Sequence, residues 1–343
     1  MARSAVFDEN FVRPFVMGAS TTLKDFSGIE ATLREFGPAG SLDTPRISIA
    51  GVIGVTGKHF QGSFTIGFPK ETFLKIMNKI LQADFTEIVP ELQDGVAEIS
   101  NIIFGQAKRI LNEKGHNVQL AIPTVLRGKD LNALGRLAGP TTEVIVNTDH
   151  GPIVMHLTGG SLGSISEDDA PEDVADENPH PPKLDTQVLV AFIRAVRTTL
   201  EVQCRVISEA GEPFAKGKGT SLQFDVGGMI WVVGRTFRGN FSVYFTKGVF
   251  LQIVENMTGQ RLTDISNDVR DAAAEVTNIT YGLAKRVLND AGYQLQGSIP
   301  IVVDGEGVEA SQAVKRPTVV VPFKLDAGSI WLEFAFDQID GMT

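Results

Sequence analysis

The segment DGVAEISNIIFGQAKRILNEKG, residues 94–115, occurs twice: it returns at residues 271–292 as DAAAEVTNITYGLAKRVLNDAG. From Glu98 to Asn112 and from Glu275 to Asn289, nine of 15 positions are identical. Unrelated segments of average composition agree at roughly one position in fifteen. Each copy reads as an amphipathic helix. Val96, Ile99, Ile103, Ile110 and Leu111 recur at helical spacing and form the apolar stripe of the first. Steps of three and four place Glu98, Asn101, Gly105, Lys108 and Asn112 on another face. The second copy repeats that face as Glu275, Asn278, Gly282, Lys285 and Asn289.

Outward from this helix the same offset of 177 positions continues in both directions. Upstream, ISIAGVIGVTGKHFQGSFTIGF (47–68) corresponds to FDVGGMIWVVGRTFRGNFSVYF (224–245), and each reads as two strands joined by a tight turn. Gly57 and Gly62 recur as Gly234 and Gly239, and paired glycines near a turn point to positive φ. An opening helix is predicted over 11–26 and again over 188–203, with Pro14 near the start of the first, where a missing N–H is tolerated. A strand is expected near 28–36, and a second helix over 70–82 and 247–259.

Downstream, 117–126 and 293–303 read as strands in which Pro123 and Pro300 coincide, the mark of an edge or a bulge. Closing strands near 141–147 and 152–157 match 318–324 and 329–336, with Gly151 and Gly328 at the turns. A repeat of this length is a domain duplication rather than a solenoid. The expected class is α+β, helices on a mainly antiparallel sheet. The expected units are 1–157 and 187–343, joined by an acidic Gly/Ser/Pro linker over 158–186 that reads as a mobile tether.

Composition narrows the possibilities. The net charge is −10, yet residues 158–186 alone carry one Lys against eight Asp+Glu. The acidity therefore sits in the linker, and no basic face for nucleic acid stands out. No run of 18 apolar residues appears, so no membrane span is expected, and the N-terminus lacks the apolar stretch of a signal peptide. The single cysteine, Cys204, leaves no intrachain disulfide and points to a cytoplasmic protein.

Several short matches fail on context. GGSLG at 159–163 fits G-x-S-x-G but opens the acidic linker instead of a strand-to-helix turn. GKG at 217–219 is too short for a phosphate loop. The five histidines are scattered, and one cysteine gives no zinc spacing, so no metal site is expected. Trp231 and Trp331 fall in predicted strands and read as core or interface residues.

The opening helix, the glycine-flanked hairpin GVTGKHFQGSFTIGF and the E-x-x-N helix followed by G-x-A-K together resemble the CheX/CheC family of chemotaxis phosphatases. The resemblance covers nearly all of both halves. Each half carries one E-x-x-N, so each resembles a CheX subunit and the chain resembles a covalently joined CheX pair. The resemblance implies hydrolysis of the phospho-aspartate of a CheY-like receiver domain. Glu98 and Asn101, with Glu275 and Asn278, are then the catalytic pairs. Gly105, Lys108, Gly282 and Lys285 are the expected partner-facing residues.

An acyl phosphate is already reactive, so what remains is to hold a water in line. An uncharged amide can accept from that water and donate in turn, where a second carboxylate would repel the phosphoryl group. The glutamates would pair with a receiver lysine. No cofactor of the chain's own is implied, because the receiver brings Mg²⁺. The other reading is a non-catalytic scaffold of the same fold that binds a receiver or a flagellar component. CheX-like subunits pair through their sheets, so a monomer with an internal pseudo-dimer is expected.

Overall fold

The computed structural model describes residues 7–57, 60–128, 131, 140–161, 186–216, 222–234, 237–266, 269–312 and 318–338. The first repeat runs α1 (Glu9–Ser27), β1 (Ala31–Pro38), β2 (Ile49–Thr56), β3 (Phe60–Phe68), α2 (Lys70–Leu81), α3 (Pro90–Glu113), β4 (Gln119–Leu120), β5 (Thr124–Arg127), β6 (Thr141–Thr148) and β7 (Gly151–Ser161). The second runs α4 (Thr186–Val202), β8 (Glu209–Ala210), β9 (Phe214–Lys216), β10 (Phe224–Val233), β11 (Phe237–Phe245), α5 (Lys247–Thr258), α6 (Asp271–Asp290), β12 (Gln296–Gly297), β13 (Ile301–Gln312), β14 (Thr318–Leu325) and β15 (Gly328–Gln338). The α+β class and the mainly antiparallel sheet follow the sequence reading. The strand β7 continues to Ser161, paired with Phe60, so it includes the first four residues of the stretch that the sequence reading assigns to the linker. The rest of the acidic stretch, 162–185, lies outside the described residues; of GGSLG, Gly159, Gly160 and Ser161 end β7 and the last two residues lie outside.

Local chemistry explains the elements. In α1 the Asp8 carboxylate caps the Phe11 N–H at 3.0 Å, and Gly28 closes the helix in the left-handed region at φ 65°. Pro14 sits further in than expected, in the second turn. The Asn10 carbonyl, which the missing Pro14 N–H would otherwise bond, instead accepts from Lys114 Nζ at 3.3 Å. The turns between the closing strands fall at Gly151 and Gly328, with φ 125° and 141°.

Gly62 and Gly239 depart from the sequence reading. Neither has a positive φ. A Cβ on Gly62 would fall 1.8 Å from the Thr158 carbonyl oxygen, and on Gly239 1.9 Å from that of Ala335. Close approach of the neighbouring strand, rather than turn geometry, demands glycine here.

Among the described residues the strands form one sheet, in the order β1-β6-β7-β3-β2-β5-β13-β10-β11-β15-β14-β8. The join between the repeats is the antiparallel β5–β13 ladder, Thr124–Arg127 against Glu309–Gln312. The strand that follows Pro123, β5, is therefore interior, not an edge. Pro123 itself falls in the gap between β4 and β5, and Pro300 falls in the matching gap between β12 and β13.

Three apolar cores result. Phe15, Ile53, Phe64, Ile103 and Phe104 bring α1 and α3 onto one face of the first repeat's strands. Phe192, Ile230, Phe241, Val276 and Tyr281 do the same for α4 and α6. The third joins the repeats: Val52 and Leu126 pack with Met229, Trp231, Tyr244 and Val303. Alternation along β2 explains it. Ile49, Ile53 and Val55 serve the helix-side core, while Ala50 and Val52 serve the inter-repeat core, so this strand is buried on both faces.

Candidate functional site

Each E-x-x-N helix lies directly on a strand because a glycine is beneath it. A Cβ on Gly51 would fall 1.9 Å from Ser100 Oγ, and on Gly228 2.0 Å from Thr277 Oγ1. Both hydroxyls donate to their own helix, Ser100 to the Val96 carbonyl and Thr277 to that of Ala273, each at 2.7 Å. They are thus satisfied while fully buried. The residue before each site asparagine is therefore pinned to the sheet, and the asparagine itself turns outward. Gly51 and Gly228 share the 177-residue offset; that correspondence was a readable signal for these positions.

The four expected residues of each repeat share one helix face. Glu98, Asn101 and Gly105 are exposed, and Lys108 is half-buried. Glu275, Asn278, Gly282 and Lys285 have the same exposures in the same order. Among the described residues, none of the two glutamates and two asparagines has a hydrogen-bond or ion-pair partner. A Cβ on Gly105 or Gly282 would meet nothing within 4 Å. Glycine inside a helix costs about 0.5–1 kcal/mol relative to alanine. No packing among the described residues offsets that cost at either position.

The fifth polar residue of the stripe has a different purpose. Asn112 clamps the loop after α3: its Oδ1 accepts from Val118 N at 2.5 Å and its Nδ2 donates to the Val118 carbonyl at 3.1 Å. Asn289 accepts from Leu295 N at 2.6 Å in the same way. These are structural amides on an otherwise open face.

At the end of the first face Lys108 Nζ donates to Gln119 Oε1 at 3.3 Å. Burial, and then the nearby guanidinium of Arg238 in the second repeat, hold the Lys108 ammonium below the usual lysine range. The two faces belong to different helices on different cores, so they form two separate sites.

Other polar groups are buried in the sheet. His156 Nε2 and Glu143 Oε1 are 3.0 Å apart on neighbouring strands, and Lys216 Nζ reaches Glu333 at 2.8 and 2.9 Å. Glu143 and His156 are opposite partners in the β6–β7 hairpin, whereas Lys216 and Glu333 lie far apart in sequence and no spacing signal announced them. Among the described residues no cluster of three His, Cys, Asp or Glu could hold a metal, and no helix is long and apolar enough to cross a membrane.

Two copies of one α+β unit, each with an exposed carboxylate–amide pair on a helix set flush against its sheet, define a tandem protein with two candidate sites. The chain belongs to the CheX family of chemotaxis phosphatases: the family model, Chemotaxis phosphatase CheX, matches residues 49–144 and 226–324, more than half of the chain. Both matched regions contain a complete E-x-x-N helix face. The CheY-P phosphatase CheX of Thermotoga maritima is 26% identical over 125 residues, 36% of this chain and 79% of that protein. Among solved structures, the chemotaxis protein CheX of Desulfovibrio desulfuricans is 31% identical, covering 44% of this chain and 99% of that one, with a TM-score of 0.41. That of Vibrio vulnificus is 28% identical, covering 44% and 99%, with a TM-score of 0.42.

Proposed function

We propose that this chain is an aspartyl-phosphate phosphatase that acts on a phosphorylated CheY-like receiver domain, with one site on α3 and one on α6. The observation that carries the proposal is the pair of helix faces on which Glu98 and Asn101, or Glu275 and Asn278, stand exposed, without partners among the described residues, beside a glycine whose Cβ position meets nothing within 4 Å. Family membership and a relative named as a CheY-P phosphatase support the same reading.

In the proposed reaction a water attacks phosphorus in line with the aspartyl oxygen. The P–O bond to that oxygen breaks, its electrons stay on the aspartate carboxylate, and inorganic phosphate leaves. Asn101 or Asn278 accepts a hydrogen bond from the attacking water through Oδ1 and fixes its direction. The amide carries no charge to oppose the phosphoryl group. Glu98 or Glu275, one helical turn earlier, pairs with a cationic side chain of the receiver and sets the docking register. Gly105 or Gly282 admits the partner backbone close to the helix axis, and Lys108 or Lys285 borders the contact. The receiver's own Mg²⁺ balances the phosphoryl charge, and the chain contributes no metal ligand.

We further propose that residues 1–157 and 187–343 act as two CheX-like units paired within one chain, a monomer in the cytoplasm alongside its receiver. The β5–β13 ladder and the shared inter-repeat core support this pairing. Light scattering coupled to gel filtration reads the assembly: the mass of one chain is expected, and a two-chain mass overturns it.

The activity is tested by phosphate release from a receiver charged with an acyl phosphate in the presence of Mg²⁺. Wild type is expected to accelerate release, and the Asn101→Ala/Asn278→Ala double variant is expected not to. A wild-type chain that binds the receiver yet leaves its phosphate lifetime unchanged is a scaffold.

A further inference from the structure

The two sites share their helix faces, but their surroundings differ. The β10–β11 hairpin of the second repeat is pinned onto the segment that leads away from the first site. Trp231 Nε1 donates to the Ile122 carbonyl at 3.1 Å, and Asn240 Nδ2 donates to Thr124 Oγ1 at 2.8 Å. Trp231 and Asn240 face each other in the β10–β11 ladder, and Val233 and Arg238 form its next pair on the same face. The hairpin therefore carries Arg238 toward the first repeat. Gln119, three residues before Ile122, holds Lys108 of α3.

The reciprocal arrangement is missing. The counterparts of Trp231 and Asn240 are Gly54, which has no side chain, and Ser63, whose buried Oγ has no hydrogen-bond partner among the described residues. The counterpart of Arg238 is Gln61, which is uncharged. One repeat thus reaches across with two pinned side chains and a cation, and the other does not reach back with the corresponding residues.

We propose that the first site is completed across the repeat boundary. Arg238 of the second repeat joins Lys108 in a two-cation rim, so the first site docks an acidic surface element of its receiver more tightly than the second site does. Arg238 is exposed, and among the described residues it forms no ion pair; Asp337 faces it in the β11–β15 ladder. Two like charges held close repel each other in the free chain, and an incoming carboxylate relieves that repulsion. The depressed Lys108 ammonium is in keeping with this. Arg238 is on this view a specificity residue that touches the partner, not the reacting atoms. The proposal rests on the receiver-docking reading above.

The test isolates each site in the full chain. Gly282→Trp blocks the second face and Gly105→Trp the first, because both glycines open onto free space. Binding of a receiver domain charged with beryllofluoride and Mg²⁺ is then titrated from low salt to 0.5 M NaCl, with and without Arg238→Gln, about 0.5 M being enough to screen exposed charges. In the Gly282→Trp chain, Arg238→Gln is expected to weaken binding about two- to fivefold at low salt, and less at high salt. In the Gly105→Trp chain it is expected to change nothing. Equal weakening in both, or none in the first, overturns the shared rim.

Turnover separates this result from the phosphatase reading. If Arg238→Gln weakens binding at the first site but the parent hydrolyses nothing, the rim stands and the enzymatic reading falls. If the parent hydrolyses normally and Arg238→Gln leaves first-site binding unchanged, the enzyme stands and the rim falls. A receiver that does not bind at all overturns both.

Discussion

Trp231 lies against Gly54, the residue 177 positions before it, so two counterparts of the duplicated strand meet where the repeats join. A Cβ on Gly54 would fall 2.1 Å from that of Trp231. The large side chain on one copy occupies the space that the other copy leaves empty, and Trp231 is almost fully buried there. Two tryptophans would collide, and two glycines would leave a void.

This contact predicts a compensating swap. Trp231→Gly is expected to cost about 3–5 kcal/mol through the cavity it opens. Gly54→Trp is expected to cost at least about 1–3 kcal/mol through overpacking. Gly54→Trp with Trp231→Gly should recover part of the loss, since the filled and empty positions exchange. Urea denaturation of the three variants measures this; a double variant whose loss equals the sum of the two singles refutes it.

The helical glycines predict a separation of stability from function. Gly105→Ala and Gly282→Ala meet no neighbour, so each is expected to stabilise the chain by about 0.5–1 kcal/mol. Each should also raise the KM for the phosphorylated receiver at its own site, because the added methyl occupies partner space. Gly51→Ala is the internal contrast. Its Cβ would strike Ser100 Oγ, and a loss of about 1–3 kcal/mol is expected.

The asparagines on one helix face are expected to divide into two kinds. Asn101→Ala should leave the melting temperature near that of wild type and lower first-site turnover on the order of 10²–10³-fold. Asn112→Ala should do the reverse. It strands the Val118 N–H and carbonyl, costs about 1–3 kcal/mol, and leaves the chemical step unchanged. Single-turnover rates beside denaturation curves distinguish the two.

The buried Glu143–His156 pair predicts a pH-dependent loss. Burial pushes the Glu143 carboxyl upward. The hydrogen bond and charge of His156, helped by the nearby polar groups of Thr44 and Gly40, outweigh it and hold the group below its ordinary value. A depressed folded-state pKa contributes stability above the unfolded carboxylate value and loses it as pH falls through the folded one. His156→Ala breaks the pair and should cost about 3–5 kcal/mol at neutral pH. The cost should shrink as the medium is acidified through the carboxylate range and Glu143 takes up a proton. Denaturation midpoints between pH 7 and pH 4 report this; a penalty that does not vary with pH would falsify it.

The sequence alone determined the duplication, the order of elements, the α+β class and the outward face bearing Glu98, Asn101, Glu275 and Asn278. These are local properties. Helical spacing says which side of α3 faces the core, and a constant offset says that α6 repeats it. Only the tertiary structure decided what each residue meets across a gap in sequence. It assigned Gly62 and Gly239 to strand contact instead of turns, put the strand after Pro123 in the interior, and made Asn112 a loop clamp. It set Trp231 on Gly54 and brought Arg238 toward Lys108. Periodicity reports the direction a side chain points, but not its neighbour, because that neighbour comes from another element whose distance and orientation are set by packing.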